Sequence, residues 1–156
     1  IVILVLRKEQ NMFVISFYIF SLFLSYTDYK KFLVPNDIMI TMSIMLVVFG
    51  LLESKIYLSS IILMGVVLLF FVGIMLINRQ MILGGGDIKY MMVVALYLGV
   101  KPFALFLVAT GIFQTFALLY MQKVRKRKIA PMVPMMFLAT VIVDILVVKG
   151  IYPFKF

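Results

Sequence analysis

Gly84-Gly85-Gly86-Asp87-Ile88-Lys89 stands between two long apolar runs, about Ile56 to Ile77 before it and about Asp87 to Val100 after it. A carboxylate set against so much apolar sequence is expensive to keep in a membrane, which makes Asp87 a functional candidate. The glycines ahead of it remove side chains, so the chain turns sharply there or another backbone comes close. The bland reading is that Asp87 caps a helix, its carboxylate accepting amide hydrogens at the positive helix end. That reading leaves unexplained why three glycines stand where one suffices, and why Lys89 follows.

The flanks decide the class. The chain has 156 residues, is 65% hydrophobic and only 13% charged, against about 25% charged in soluble domains, and its mean hydropathy is +1.21. A chain this short encloses too little volume to hide that much apolar surface from water. The expectation is an all-α integral membrane protein, a bundle of about six transmembrane helices with polar cytoplasmic loops, forming one membrane-embedded domain over residues 1–156. The apolar runs place spans at about 12–26, 38–52, 56–77, 87–100, 102–121 and 129–148. Residues 1–11 read as an N-terminal remnant, too short in their apolar part to cross a bilayer. The stretch from Thr27 to Asn36 reads as a polar turn in which Pro35 breaks helix and Asn36 or Asp37 caps the next one. Lys101 alone separates the fourth and fifth spans, and Pro134 is expected to kink or delay the sixth.

A net charge of +9 raises nucleic acid as a partner, but the Lys and Arg lie in short segments between apolar runs. That distribution follows the positive-inside bias and attraction to anionic lipid, and no face large enough for a phosphate backbone remains. Loops after the first, third and fifth spans carry Lys30, Lys31, Arg79, Lys89, Lys123, Arg125, Lys126, Arg127 and Lys128, against Arg7, Lys8, Lys55, Lys101, Lys149 and Lys155 on the other side. The richer side is expected to face the cytoplasm, which puts the protein in the inner (plasma) membrane with Asp28, Asp37 and Asp87 on one cytoplasmic face.

Cys and His are both absent. This removes thiolate nucleophiles, imidazole bases and Cys/His zinc sites, leaving Asp, Glu, Lys or Tyr for any acid–base work. The six acidic residues are Glu9, Asp28, Asp37, Glu53, Asp87 and Asp144. Glu9 and Glu53 read as solvated loop charges, and Asp37 as a cap. Asp144 reads as a structural carboxylate near the outer interface with a polar partner. Thr110 and Gln114 are expected to bridge helices by hydrogen bonds. Two carboxylates that approach closely cannot both ionise. The ionised one takes a proton from attacking water, and the protonated one serves the oxyanion and the leaving amine.

With those residues in view, a resemblance emerges. Gly84-Gly85-Gly86-Asp87 is similar to the Gly-x-Gly-Asp signature of intramembrane aspartic peptidases, and Lys89 matches the Gly-x-Gly-Asp-x-Lys extension of prepilin peptidases. Asp28, Lys30, Pro35 and Asn36 resemble that family's first motif, and Pro131-Met132-Val133-Pro134 the Pro-x-x-Pro that opens its last helix. The resemblance, over roughly Tyr26 to Leu138, implies a type IV prepilin or preflagellin leader peptidase. Asp28 and Asp87 are then the catalytic pair, and Gly84, Gly85, Gly86, Lys89, Lys30, Pro35 and Asn36 the supporting motif. It further implies cleavage of a basic leader from a prepilin-like protein partner, with no cofactor and no metal. The cytoplasmic Cys-x-x-Cys region of larger, N-methylating relatives is missing, so methyltransferase activity is not expected. Two alternatives stand beside this reading. One is a small proton- or ion-coupled transporter in which Asp87 and Asp144 share an interior path; the other is a noncatalytic pilus-assembly factor.

Overall fold

The computed structural model describes residues 12–78, 84–126 and 130–151. Among the described residues there are six helices and no strand: α1 (Met12–Lys31), α2 (Asn36–Leu52), α3 (Leu58–Asn78), α4 (Gly85–Leu98), α5 (Val100–Arg125) and α6 (Val133–Val148). Three of them are long and apolar enough to cross a membrane, over Met12–Lys31, Leu58–Ile77 and Val100–Val124. α2 and α6 are apolar but shorter, and α4 has 14 residues. Residues 1–11 and the loop positions Arg79, Arg127 and Lys128 lie outside the described residues.

α4 sits at the centre. Tyr90 and Val94 are fully buried, and Leu98 nearly so, against Phe13 and Phe17 of α1, Phe106 of α5 and Val143 of α6. α3 packs mainly on α4 and turns the rest of its surface outward, with Leu76 74% and Ile77 81% exposed. Apolar side chains on the outside and a packed interior are what a lipid solvent selects, since lipid tails are as apolar as leucine.

The helix ends depart from the hydropathy boundaries in ways that matter for the site. α1 does not stop at Tyr26; Thr27-Asp28-Tyr29-Lys30-Lys31 stays helical, so Asp28 is a helical residue and not a turn residue. The helix ends at Phe32, whose φ of 51° is left-handed and whose amide donates to the Asp28 carbonyl at 2.8 Å. α2 begins at Asn36 with Pro35 at the cap position, and neither Asn36 nor Asp37 makes a side-chain cap. Lys101 lies inside α5, and Gly99, with φ of 78°, alone separates α4 from α5. α6 starts only at Val133, with Pro134 in its first turn, where a missing amide hydrogen costs nothing.

Glu53 is not a free loop charge. Its Oε1 accepts the Phe13 amide at 3.2 Å, and its Oε2 pairs with the Lys55 ammonium at 2.7 Å. Burial pushes its carboxyl up, but the Lys55 partner and the α1 amide together hold it below the ordinary value. Thr110 Oγ1 and Gln114 Oε1 are buried without hydrogen-bond partners among the described residues, so the expected bridges from α5 do not form there.

Candidate active site

Asp28 projects from the last turns of α1 into the protein and is only 5% exposed. A carboxylate so enclosed needs donors. One comes from the far end of the sequence: the Val133 amide, in the first turn of α6, donates to Asp28 Oδ2 at 3.0 Å. The N-terminus of a helix carries unpaired amides and a partial positive charge, and both favour the ionised form of a carboxyl placed there. Burial outweighs them and holds the Asp28 carboxyl above its ordinary value. Pro131 and Pro134 have no amide hydrogen, so the Pro-x-x-Pro segment presents Met132 and Val133 as its inner donors.

Asp87 is the third residue of α4, with Gly84 at the cap position. The carboxylate folds back over Gly84: a Cβ at position 84 would lie 3.0 Å from Asp87 Oδ2. Gly86 has a different task. A Cβ there would stand 2.6 Å from Val34 Cβ, so its absence lets α4 press against the connection between α1 and α2. A Cβ at Gly85 would meet nothing within 4 Å. Gly86 is therefore sterically required, Gly84 lies close against the Asp87 carboxylate, and the middle one is the unconstrained position of Gly-x-Gly-Asp.

Asp28, Asp87, Gly84, Gly85, Gly86, Asn36 and Lys89 line one cavity of about 450 Å³, together with Phe32, Leu33 and Val34. Asp87 lies ahead of the apolar part of α4, at the rim of the bundle. Burial, and then the neighbouring Asp28 charge, push its carboxyl up to about 6. The Lys89 ammonium donates to Asn36 Oδ1 at 2.8 Å, joining the start of α4 to the start of α2 across this rim. Among the described residues no three carboxylate, imidazole or thiolate ligands converge, and the cavity offers two carboxylates.

The other sequence candidates fall elsewhere. Lys30 is exposed and sits over the Tyr26 ring at 5.0 Å, away from the cavity. Pro35 sets the entry to α2 without lining the site, and Asp37 is exposed. Asp144 lies at the opposite end of the bundle, where Oδ2 accepts hydroxyls from Tyr18 at 2.6 Å and Tyr97 at 2.8 Å. It has the polar partners its position demanded. Sequence reasoning missed the Val133 amide and the Val34 contact; the spacing of Pro131 and Pro134 was the only signal for the first.

The type IV leader peptidase family matches residues 15–120 of the chain. The match covers both aspartates and stops short of α6. No curated protein and no solved structure matches the chain.

Proposed function

Because the chain belongs to the type IV leader peptidase family, we propose that it is a membrane aspartic endopeptidase that removes the basic leader of prepilin-like precursors. One observation carries the mechanism: Asp28 and Asp87, from the family's two motifs, line one cavity at the same end of the bundle. The six helices together form the membrane-embedded unit, with the shorter α2, α4 and α6 held among the three longer ones. The cavity faces the cytoplasm, where the basic loops lie.

Burial raises both carboxyls; in this mechanism Asp28 is the ionised partner, because the Val133 and Met132 amides oppose that rise and Asp87 has no such donors among the described residues. Asp87 holds the proton, because burial and the Asp28 charge both disfavour its ionised form. Water bound between them gives its proton to Asp28 as its oxygen bonds to the scissile carbonyl carbon. The carbonyl oxygen takes the proton of Asp87. Collapse of the tetrahedral intermediate breaks the carbon–nitrogen bond, the amine nitrogen takes the proton from Asp28, and the hydroxyl proton returns to Asp87. Gly85 leaves the cavity mouth without a side chain, so an extended substrate backbone passes close to Asp87. This chemistry uses no cofactor.

The test is leader removal from a prepilin co-expressed with the protein, read as a shift in precursor mass. Asp28→Asn and Asp87→Asn variants that insert normally yet process at the wild-type rate would overturn the reading.

A further inference from the structure

The two carboxylate sites at the ends of the bundle are joined by a line of buried hydroxyls. On α1, Tyr18, Ser21, Ser25 and Asp28 follow one another at intervals of three, four and three, a single helix face. Ser21 is fully buried, and its hydroxyl and that of Ser25 have no hydrogen-bond partner among the described residues. On α4, Asp87, Tyr90 and Tyr97 occupy the facing stripe at intervals of three and seven. Tyr90 is fully buried, and its hydroxyl, set near Ser21, also lacks a partner of good geometry. The line ends at Asp144, which holds the Tyr18 and Tyr97 hydroxyls together. Phe17, Leu24, Val94 and Val143 surround it.

Orphaned buried hydroxyls in a packed apolar interior cost about 1–3 kcal/mol each unless water satisfies them. Tyr18 and Asp28 are ten residues apart on α1, about 15 Å along its axis. Ser21 and Ser25 divide that length into steps of about 4.5, 6 and 4.5 Å, each within the reach of one bridging water.

We infer that internal water joins Asp144 to the Asp28–Asp87 pair through Ser21, Ser25 and Tyr90, and that the pair exchanges protons along it with the opposite face of the bundle. The ligand of this seam is water, and its task is to set the proton occupancy of the catalytic pair; that task rests on the peptidase reading above. The groups facing Asp144 are Tyr18 from α1, Tyr97 from α4, and Lys55 and Tyr57 from the α2–α3 connection, while α5 contributes the apolar Pro102. Those facing the catalytic pair are the Val133 amide from α6, Lys89 from α4 and Asn36 from α2.

The experiment uses the full chain in proteoliposomes, with a water-soluble peptide spanning the scissile bond added outside. Only molecules with the site outward cleave it. Exterior pH is held above 6 and lumenal pH is varied. Lowering lumenal pH keeps the pair singly protonated, so wild-type cleavage rises as the lumen is acidified. Ser21→Ala, Tyr90→Phe and Asp144→Asn lose this response while keeping the wild-type rate when both sides share one acidic pH. A wild-type rate that follows exterior pH alone overturns the inference. Proton entry is also recorded without peptide, by a pH-sensitive dye in the lumen. Faster entry than in protein-free vesicles, slowed by Tyr90→Phe, supports the seam even if no peptide is cleaved. Entry no faster than in protein-free vesicles overturns it whatever the peptidase result.

Discussion

The Val133 amide donates to Oδ2 of Asp28 at 3.0 Å, so the side chain proposed for the reaction also meets the first turn of the last helix. The two roles separate by substitution. Asp28→Asn retains a carbonyl oxygen for the amide and should abolish cleavage with little loss of stability. Asp28→Ala removes the acceptor as well and should lower stability by a further ~1–2 kcal/mol, the range for losing a helix cap. Comparing thermal unfolding in detergent with leader cleavage for both variants checks this. Equal stability in the two would mean the contact does not begin α6.

An alanine scan of the glycines should give a non-monotonic result. Gly86→Ala drives a methyl into Val34, 2.6 Å away, and should cost on the order of 1–3 kcal/mol while displacing α4 from the α1–α2 connection. Gly84→Ala touches Asp87 Oδ2 at 3.0 Å and should impair cleavage more than stability. Gly85→Ala meets nothing within the protein and should leave stability unchanged, so a loss of cleavage there would report substrate passage at the cavity mouth. Unfolding midpoints and initial rates for the three variants measure the order.

Lys89 and Asn36 meet at an exposed rim, where such a pair contributes below about 1 kcal/mol to stability. Its effect should appear in the reaction instead, because it ties α4, which carries Asp87, to the start of α2, just past the helix that carries Asp28. Lys89→Met and Asn36→Ala should each lower kcat with KM little changed, and the double variant should be no worse than either single. Additive losses in the double-mutant cycle would show that the two residues act separately.

The pH dependence follows from Asp87. Its carboxyl is pushed up to about 6, so the folded protein binds a proton there that an ordinary aspartate has lost. Activity that needs this proton should fall as pH rises through about 6. The same raised value means that stability declines, not rises, as pH climbs from the ordinary carboxyl range to about 6. Infrared difference spectra of the Asp87 carboxyl stretch give a readout independent of turnover. In Asp28→Asn the neighbouring charge is gone, and the titration should move to lower pH.

Hydropathy made the class legible, because lipid imposes apolar outer faces on every helix it touches, and the spacing of charged loops was enough to group Asp28 with Asp87. Helix ends were not legible in the same way. Thr27 to Lys31 is polar yet helical, and Lys101 is charged yet inside α5, because a helix continues wherever its backbone bonds are satisfied and not only where its side chains are apolar. The partners of Asp28, Gly86 and Asn36 were hidden for another reason. Val133, Val34 and Lys89 are distant in sequence from them, and nothing in their composition announces a partner. Glu53 shows the same thing at the other end, where a residue that looked solvated begins α1.

Asp28 and Val133 stand 105 positions apart, with four other helices made between α1 and α6. During synthesis the Asp28 carboxyl emerges long before the amide that anchors it. A chain still missing its last helix already carries both aspartates, but one of them has no donor to hold its charge in place. The environment of Asp28 is therefore complete only when the final segment is seated.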